Sequence, residues 1–328
     1  MRYALTRIAR FVFVFVIVTF LVMLATRIGS KDPIRDLAGG QVSPEVMAKV
    51  EADYPYIEKC EGALAYLPCM GKQYAAWTFD MVRGEMGYSY AQEQTVGEMF
   101  KQRGPATFWV GFWAIIIGLL IAIPVGVYSA YKRDSLFDRF MSFGSFATLS
   151  TPQLVVAVFL LYAVASRFDF FPNLWNYVAP WSSPVDHFKN FFLPSLTLGI
   201  GLGAVWSRLL RADMIMTLQS DFINLARAKG VSPNRVLWVH ALRSSVLSLI
   251  TSVALQLSGL VSGAVVAEQF FGVGGVGGRL VIAVQQNDIL IIQAITAVVV
   301  AVVVIVNVGV DLLYAVVDPR IRQARALG

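Results

Sequence analysis

In a chain of 328 residues, 57% hydrophobic and 15% charged with a mean hydropathy of +0.63, there is too little polar surface to cover a soluble globule, so the composition indicates a membrane protein. Its two histidines, His187 and His240, fall on opposite faces of the topology derived below, which excludes a His-rich metal site and a histidine-based catalytic triad. The net charge of +6 would suit a nucleic-acid partner, but its distribution along the chain gives it another cause, and no nucleic acid is expected.

A hydrocarbon core about 30 Å thick calls for about 20 mostly apolar helical residues per crossing. Six runs meet that need: Phe11 to Thr26, Ala106 to Tyr131, Met141 to Ser166, Phe191 to Trp206, Val246 to Ala267 and Ile289 to Val317. Arg2, Arg7 and Arg10 precede the first run as they would in a cleavable signal. The run continues to Ala25, however, and puts Met23 rather than a small residue at the −3 position, which favours an uncleaved anchor. The amino end, Lys132 to Arg139, Arg208 to Arg243 and the tail from Asp318 carry 15 basic residues against 5 carboxylates, whereas residues 29–104 carry 8 against 11. Basic loops face the cytosol, so both termini are expected there and residues 29–104 outside. Cys60 and Cys69 of that outer segment are expected to pair if the compartment is oxidising, two free thiols being the alternative.

The cytosolic stretch SDFINLARAKGVSPNRVLWVHALR, Ser220 to Arg243, reads as two helices with a break. Ser220 can cap the first, with Asp221 in its first turn and Arg227 and Lys229 in its last, complementing the helix dipole. Gly230 is expected in the left-handed region after the helix, with Val231 making the accompanying hydrophobic contact. Ser232-Pro233 then offers the cap and first position of the next helix. A helix of about nine residues is marginal alone. It is expected to dock on another surface through Phe222, Ala226 and Gly230, which share one face.

On the fifth run, Ser245, Ser248, Ser252, Gln256, Gly259 and Gly263 form one polar and small face. Gly259-x-x-x-Gly263 favours close helix packing, while Gln256, an amide at mid-membrane, is the best candidate to face a path, with Ser252 and Gly259 beside it. Glu268, at the outer end of this run, guards the mouth or sits in water. Asp311, a carboxylate inside the sixth run, is expected to be tethered to Arg208 or Arg211 rather than to serve as an ion site. Between the fifth and sixth runs, EQFFGVGGVGGRL places Gly272, Gly274 and Gly277 at the G-x-G-x-x-G spacing of dinucleotide sites. The strand before, helix after and acidic residue about 20 positions on that such a site requires are not expected here, so the stretch reads as a tight turn or re-entrant element, with Gly275 at positive φ. No G-x-x-x-x-G-K-[ST] loop occurs anywhere, so ATP chemistry must come from another polypeptide.

ARAKG followed by HALRSSVL resembles the EAA loop of ABC-importer membrane subunits, whose coupling helix sits in a groove on the ATPase; on this chain that role would fall to Phe222, Ala226, Arg227, Ala228, Lys229 and Gly230. RGEMGYSY in the outer segment, IPVGVYSAYKRDS at the end of the second run, LPSLTLGIG before Arg208, LQLSGLVSGAVVAEQFF from Leu255 and NVGVDLLYAVVDPRIR at the end resemble the first of the two permease subunits of dipeptide, oligopeptide and nickel importers. The resemblance spans nearly the whole chain. Leu247-Ser248 replaces the family's Leu-Pro, Gly274-Gly275-Val276-Gly277 replaces its Pro-Gly-x-Gly, and the Glu of the EAA triplet is missing.

The resemblance implies an all-α integral membrane protein of six transmembrane helices with the type I ABC importer permease fold and an enlarged extracytoplasmic segment between helices 1 and 2. The parts would be residues 1–28, the outer segment 29–104, a five-helix core 105–317 with the coupling helix at 220–230, and a cytosolic tail 318–328. It also implies partners: a second homologous permease, two ATPases that use ATP and Mg, and an extracytoplasmic solute-binding protein delivering peptides across a bacterial or archaeal inner membrane. The chain itself would need no cofactor, bind no metal and catalyse no reaction. A nickel or other small-solute importer is one alternative, and an ATP-independent channel or receptor-like membrane protein is another.

Overall fold

The computed structural model describes residues 2–27, 32–38, 43–58, 60, 63–167, 171 and 177–317. In chain order they form helices α1 (Arg2–Arg27), α2 (Pro33–Leu37), α3 (Pro44–Asp53) and α4 (Ala63–Val82), then strands β1 (Tyr88–Ser89) and β2 (Gln94–Thr95). There follow α5 (Val96–Tyr131), α6 (Leu136–Ser150), α7 (Gln153–Leu160), α8 (Pro184–Leu218), α9 (Asp221–Ala228), α10 (Pro233–Arg235), α11 (Leu242–Phe271), α12 (Val276–Gln285) and α13 (Ile289–Val317). Wider π-type turns at Leu161–Ala165 extend α7, and others at Val236–Ala241 join α10 to α11. The chain divides into two compact units, Met1–Pro105 with Gly275–Ile305 and Ala106–Gly274 with Val306–Gly328.

In the first unit α1 lies on α4, with Met23 packed among Met70, Tyr74 and Trp77. The Thr19 hydroxyl meets the Tyr74 hydroxyl at 2.6 Å, and the Arg27 guanidinium donates to the Gln73 amide oxygen. Gln73 in turn donates to the Glu58 carbonyl at 2.7 Å beside Cys60 and Cys69, whose sulfurs are bonded with Cα atoms 5.8 Å apart. Helix α3 begins where Ser43 Oγ accepts from the Val46 N–H at 3.2 Å and Pro44 fixes the first turn. The short antiparallel pair sets Tyr88 opposite Thr95 and Ser89 opposite Gln94. Tyr90 donates to Asp53 at 2.6 Å; burial, together with that bond to a carboxylate, raises its hydroxyl pKa above the ordinary value. Asp288 gathers three donors, Ser89 Oγ, the Ile291 N–H and Arg279 Nη2, the last two at 3.3 Å. Asp288 and Arg279 are both buried. Their ion pair fastens α12 and the start of α13 to the strand pair, and the sequence reading singled out neither residue.

In the second unit α8 is the axis. Its residues Gly199 and Gly203 face α5 so closely that a Cβ there would lie 2.7 Å from Ile117 Cγ2 and 2.9 Å from Ile121 Cβ. Small residues permit that approach between transmembrane helices. Nearby, Ser195 donates to the Val110 carbonyl at 3.1 Å. Trp113 donates to His187 Nε2 at 3.0 Å, so Nδ1 carries the ring proton and donates to the Val178 carbonyl at 2.7 Å. His187 thus anchors the segment preceding α8.

Among the described residues, five helical stretches are long and apolar enough to cross a membrane: Ala9–Arg27, Val96–Tyr131, Pro184–Leu218, Pro233–Leu257 and Ile289–Gly309. Two broken pairs, Leu136–Ser150 with Gln153–Ala165 and Gly259–Phe271 with Val276–Gln285, pass the same test together. The third apolar run is therefore not one straight helix. It turns by 102° at Thr151-Pro152, because proline has no N–H to continue the α6 ladder and its ring displaces the preceding carbonyl.

The glycine stretch corrects two expectations. Gly272 at φ +62 closes α11 by donating to the Glu268 carbonyl, and Gly274 lies at φ +69, but Gly275 has φ −81 and simply starts α12. A helix does follow the motif, contrary to the reading above. Another helix precedes it where a dinucleotide site would have a strand.

Candidate functional site

The bend at Pro152 leaves an opening of about 530 Å³ among α6, α7, α8 and α11. Its polar wall is made by Thr148 and Thr151 at the end of α6, Gln153 at the start of α7, Thr197 on α8, and Gln256 with Gly259 on α11; most of the rest is leucine and valine. Thr151 and Thr197 donate their hydroxyl protons to the carbonyls of Ala147 and Leu193 on their own helices, at 2.8 and 3.0 Å. What those hydroxyls retain is acceptor capacity. Gln256 Nε2 lies 3.5 Å from Ser252 Oγ, the outer limit of a hydrogen bond, leaving its amide little committed to its own helix.

The two glycines of α11 do different work. No atom lies within 4 Å of where a Gly259 Cβ would be, so this residue is open to the cavity. At Gly263 the same construction meets Leu198 Cδ2 at 3.0 Å and the Gln153 amide oxygen and nitrogen at 3.1 and 3.3 Å. Close packing thus explains Gly263 and not Gly259.

Of the path candidates, Gln256 and Gly259 line the cavity, whereas Ser252 and Glu268 do not. Ser252 is buried. Glu268 is only 1% exposed, which corrects the reading that sets it in water. Its spacing from Ala264, Ala267 and Phe271 puts it on the face of α11 that packs into the core. Gln153, Thr148, Thr151 and Thr197 were missed. The available signal was Ser150-Thr151-Pro152, a breaker sequence inside an apolar run that marks a bend and hence a gap beside it.

Arg211, one of the two residues expected to tether Asp311, has another partner: it grips Asp138 of α6 with two bonds of 2.6 Å, from Nε and Nη2. Asp138 is preset to receive it: the Ser135 hydroxyl accepts from its N–H, and its own carboxylate accepts from the Asp134 N–H. This forked geometry is the one a planar guanidinium and a carboxylate favour. Arg208 stacks over the Phe146 ring at 3.9 Å. The Asp311 side chain lies outside the described residues.

Helix α9 buries one side chain, Ile223, in its own unit. Ile223 is 0% exposed within a cluster that includes Leu210, Met214 and Leu237, while Phe222 and Leu225 remain 48% and 57% exposed. Ala226 is half-buried, and Arg227, Ala228 and Lys229 are exposed. Gly230 has φ +77, with bonds from its N–H to the Arg227 carbonyl at 2.9 Å and from the Val231 N–H to the Ala226 carbonyl at 3.2 Å. This pair of bonds defines a Schellman cap. Ser220 sits at the cap position, but its hydroxyl donates back to the Thr217 carbonyl instead of accepting from the new helix.

A membrane-embedded helical chain with a cavity beside a broken span and a short, outward-facing amphipathic helix belongs to the class of transport permeases. The chain is a member of the family described as binding-protein-dependent transport system inner membrane component, which matches residues 122–323. It is 30% identical to the dipeptide transport system permease protein DppB of Escherichia coli K12, over 99% of this chain and 100% of that one. A protein of Brucella abortus named as a peptide transport system permease is 29% identical over 97% of this chain and 98% of its own. Another, named as a peptide ABC transporter permease in Sinorhizobium fredii, is 28% identical over 98% and 99%.

Proposed function

We propose that this protein is the permease subunit of an ATP-driven ABC importer and forms half of the path for di- or oligopeptides handed over by a solute-binding protein. The observation that carries the reading is α9. A helix of eight residues with Phe222 and Leu225 facing outward is too short to persist unaided, and a capped glycine turn presents it as a unit. Such a helix suits a groove on a partner ATPase. The peptide cargo is supported by the names of the relatives, above all the dipeptide permease matched over its whole length.

Taking α6 and α7 as one broken span gives six crossings. The distribution of basic residues sets both termini in the cytosol, and the Cys60–Cys69 bond suits an oxidising compartment for the segment between α1 and α5. A second homologous permease, two ATPases using ATP and Mg, and the binding protein complete the assembly.

The experiment is reconstitution of this chain with the second permease and the ATPases encoded beside it, in vesicles supplied with the binding protein. Accumulation of a labelled dipeptide that requires ATP inside the vesicle interior corresponding to the cytosol is the expected result. Uptake of nickel with no uptake of peptide would move the cargo assignment. Peptide flux through this chain alone, without ATP, would replace the importer by a channel.

A further inference from the structure

The wall of the cavity beside Pro152 contains amides, hydroxyls, glycine and aliphatic groups, and no Asp, Glu, Lys, Arg or His among its described residues. The nearest cations along α8 are otherwise engaged, Arg211 on Asp138 and Arg208 on the Phe146 ring. In surroundings of low dielectric a fixed charge would hold cargo of opposite sign and repel cargo of like sign over the whole width of the opening. A primary amide behaves differently, because it offers two N–H donors and a carbonyl acceptor and can turn either end toward a carboxylate or an ammonium group. Gln153 is given its place by Gly263, where any Cβ would stand 3.1 Å from the amide oxygen. The volume of about 530 Å³ is within the range of about 300–1,000 Å³ usual for small-molecule sites.

From this we infer that the cavity is a charge-indifferent passage compartment, in which Gln153 and Gln256 replace water around the peptide groups and termini of the cargo, so that acidic, neutral and basic peptides pass alike. The inference rests on the importer reading given above and adds to it where selectivity by side-chain charge does not reside.

The test uses the complete reconstituted importer with saturating amounts of binding protein loaded with one of three dipeptides that differ at one position, Ala, Lys or Glu. Each variant is compared with the parent protein for each peptide, so preferences of the binding protein cancel. Gln153→Lys is expected to slow the Lys peptide at least about fivefold relative to the Ala peptide while sparing the Glu peptide, and Gln153→Glu is expected to do the reverse. Gln256→Glu, of nearly unchanged shape, should repeat the Gln153→Glu pattern from the other wall. Gln153→Met should slow all three peptides by the same factor. Charged variants (Gln153→Lys, Gln153→Glu, Gln256→Glu) that assemble and hydrolyse ATP yet slow the three peptides equally, or leave them unchanged, would overturn the inference, as would a Gln153→Met variant that slows the three peptides unequally. Failure of the parent importer to take up any of the three would overturn the importer reading instead.

Discussion

Between α5 and α8, Gly203 sits where a Cβ would meet Ile121 at 2.9 Å, in a helical backbone that any residue could adopt. At the end of α9 the situation is reversed: Gly230 has nothing within 4 Å of its missing Cβ, but its φ of +77 is one that side chains rarely tolerate. One glycine is required by a neighbour and the other by its own backbone. The first lies in a contact that holds the unit together, and the second shapes an edge that is free to meet a partner. Substitutions at these two places should therefore separate folding from coupling.

The largest effect is expected at the packed contact. Gly203→Val forces a β-branched side chain into space already taken by Ile121, costing about 1–3 kcal/mol or more. Purified in detergent, the variant should melt several degrees below the parent or fail to accumulate. An unchanged melting temperature would show that α5 and α8 can separate without cost.

Removing a charge partner comes next. Arg211→Ala leaves the Asp138 carboxylate, 3% exposed, without its two strongest donors. Because Arg211 is itself 27% exposed and water can partly replace it, a loss of about 2 kcal/mol is expected rather than the full cost of a buried orphan charge. Adding Asp138→Asn should recover part of the loss; strictly additive losses in the double variant would mean that the pair is not coupled.

At the free edge the stability cost falls to about 1–2 kcal/mol and the functional cost rises. Gly230→Val strains the turn, while Gly230→Asn should be nearly silent because Asn enters the left-handed region readily. Peptide uptake and substrate-stimulated ATP hydrolysis should fall together in the Val variant and return in the Asn variant. Loss in both would mean that space around residue 230, taken up by a partner, matters more than φ.

Smallest in stability is Gly259→Ala. With no atom near the new methyl group and a better helix former in place, the protein should be unchanged or up to about 1 kcal/mol more stable. Uptake should still drop, because the methyl group projects into the cavity. A fall in melting temperature would instead make Gly259 a packing residue like Gly263.

The same contrast explains what could be read in the sequence. The Gly230 turn was legible because every signal it needs lies within a few residues: a helix-length run, a glycine, an apolar residue and Ser-Pro. Apolar length was equally legible, and it located five of the six runs as long helices. The third failed because hydropathy measures what a segment dissolves in and not whether it is straight, and Pro152 was absorbed into an otherwise apolar stretch. The partners of Arg211, Glu268 and Gly263 were not legible, since each depends on which helix lies alongside. Charge complementarity suggested Asp311 for Arg211, and the pairing of Arg211 with Asp138 follows only from the packing of α6 on α8.

From Pro233 to Phe271 the backbone is helical throughout, with its π-type turns at Val236–Ala241 near the end adjoining the Gly230 corner. Gln256 stands about 23 residues along this rod, and at 1.5 Å per residue that is a lever arm of about 35 Å, comparable to the hydrocarbon thickness of a bilayer. A tilt of about 10° at the corner would carry the cavity wall through about 6 Å, more than a helical turn of 5.4 Å. If the rod moves as one body, rigid geometry alone converts a displacement of one side chain's width beneath α9 into a change of cross-section at the amides.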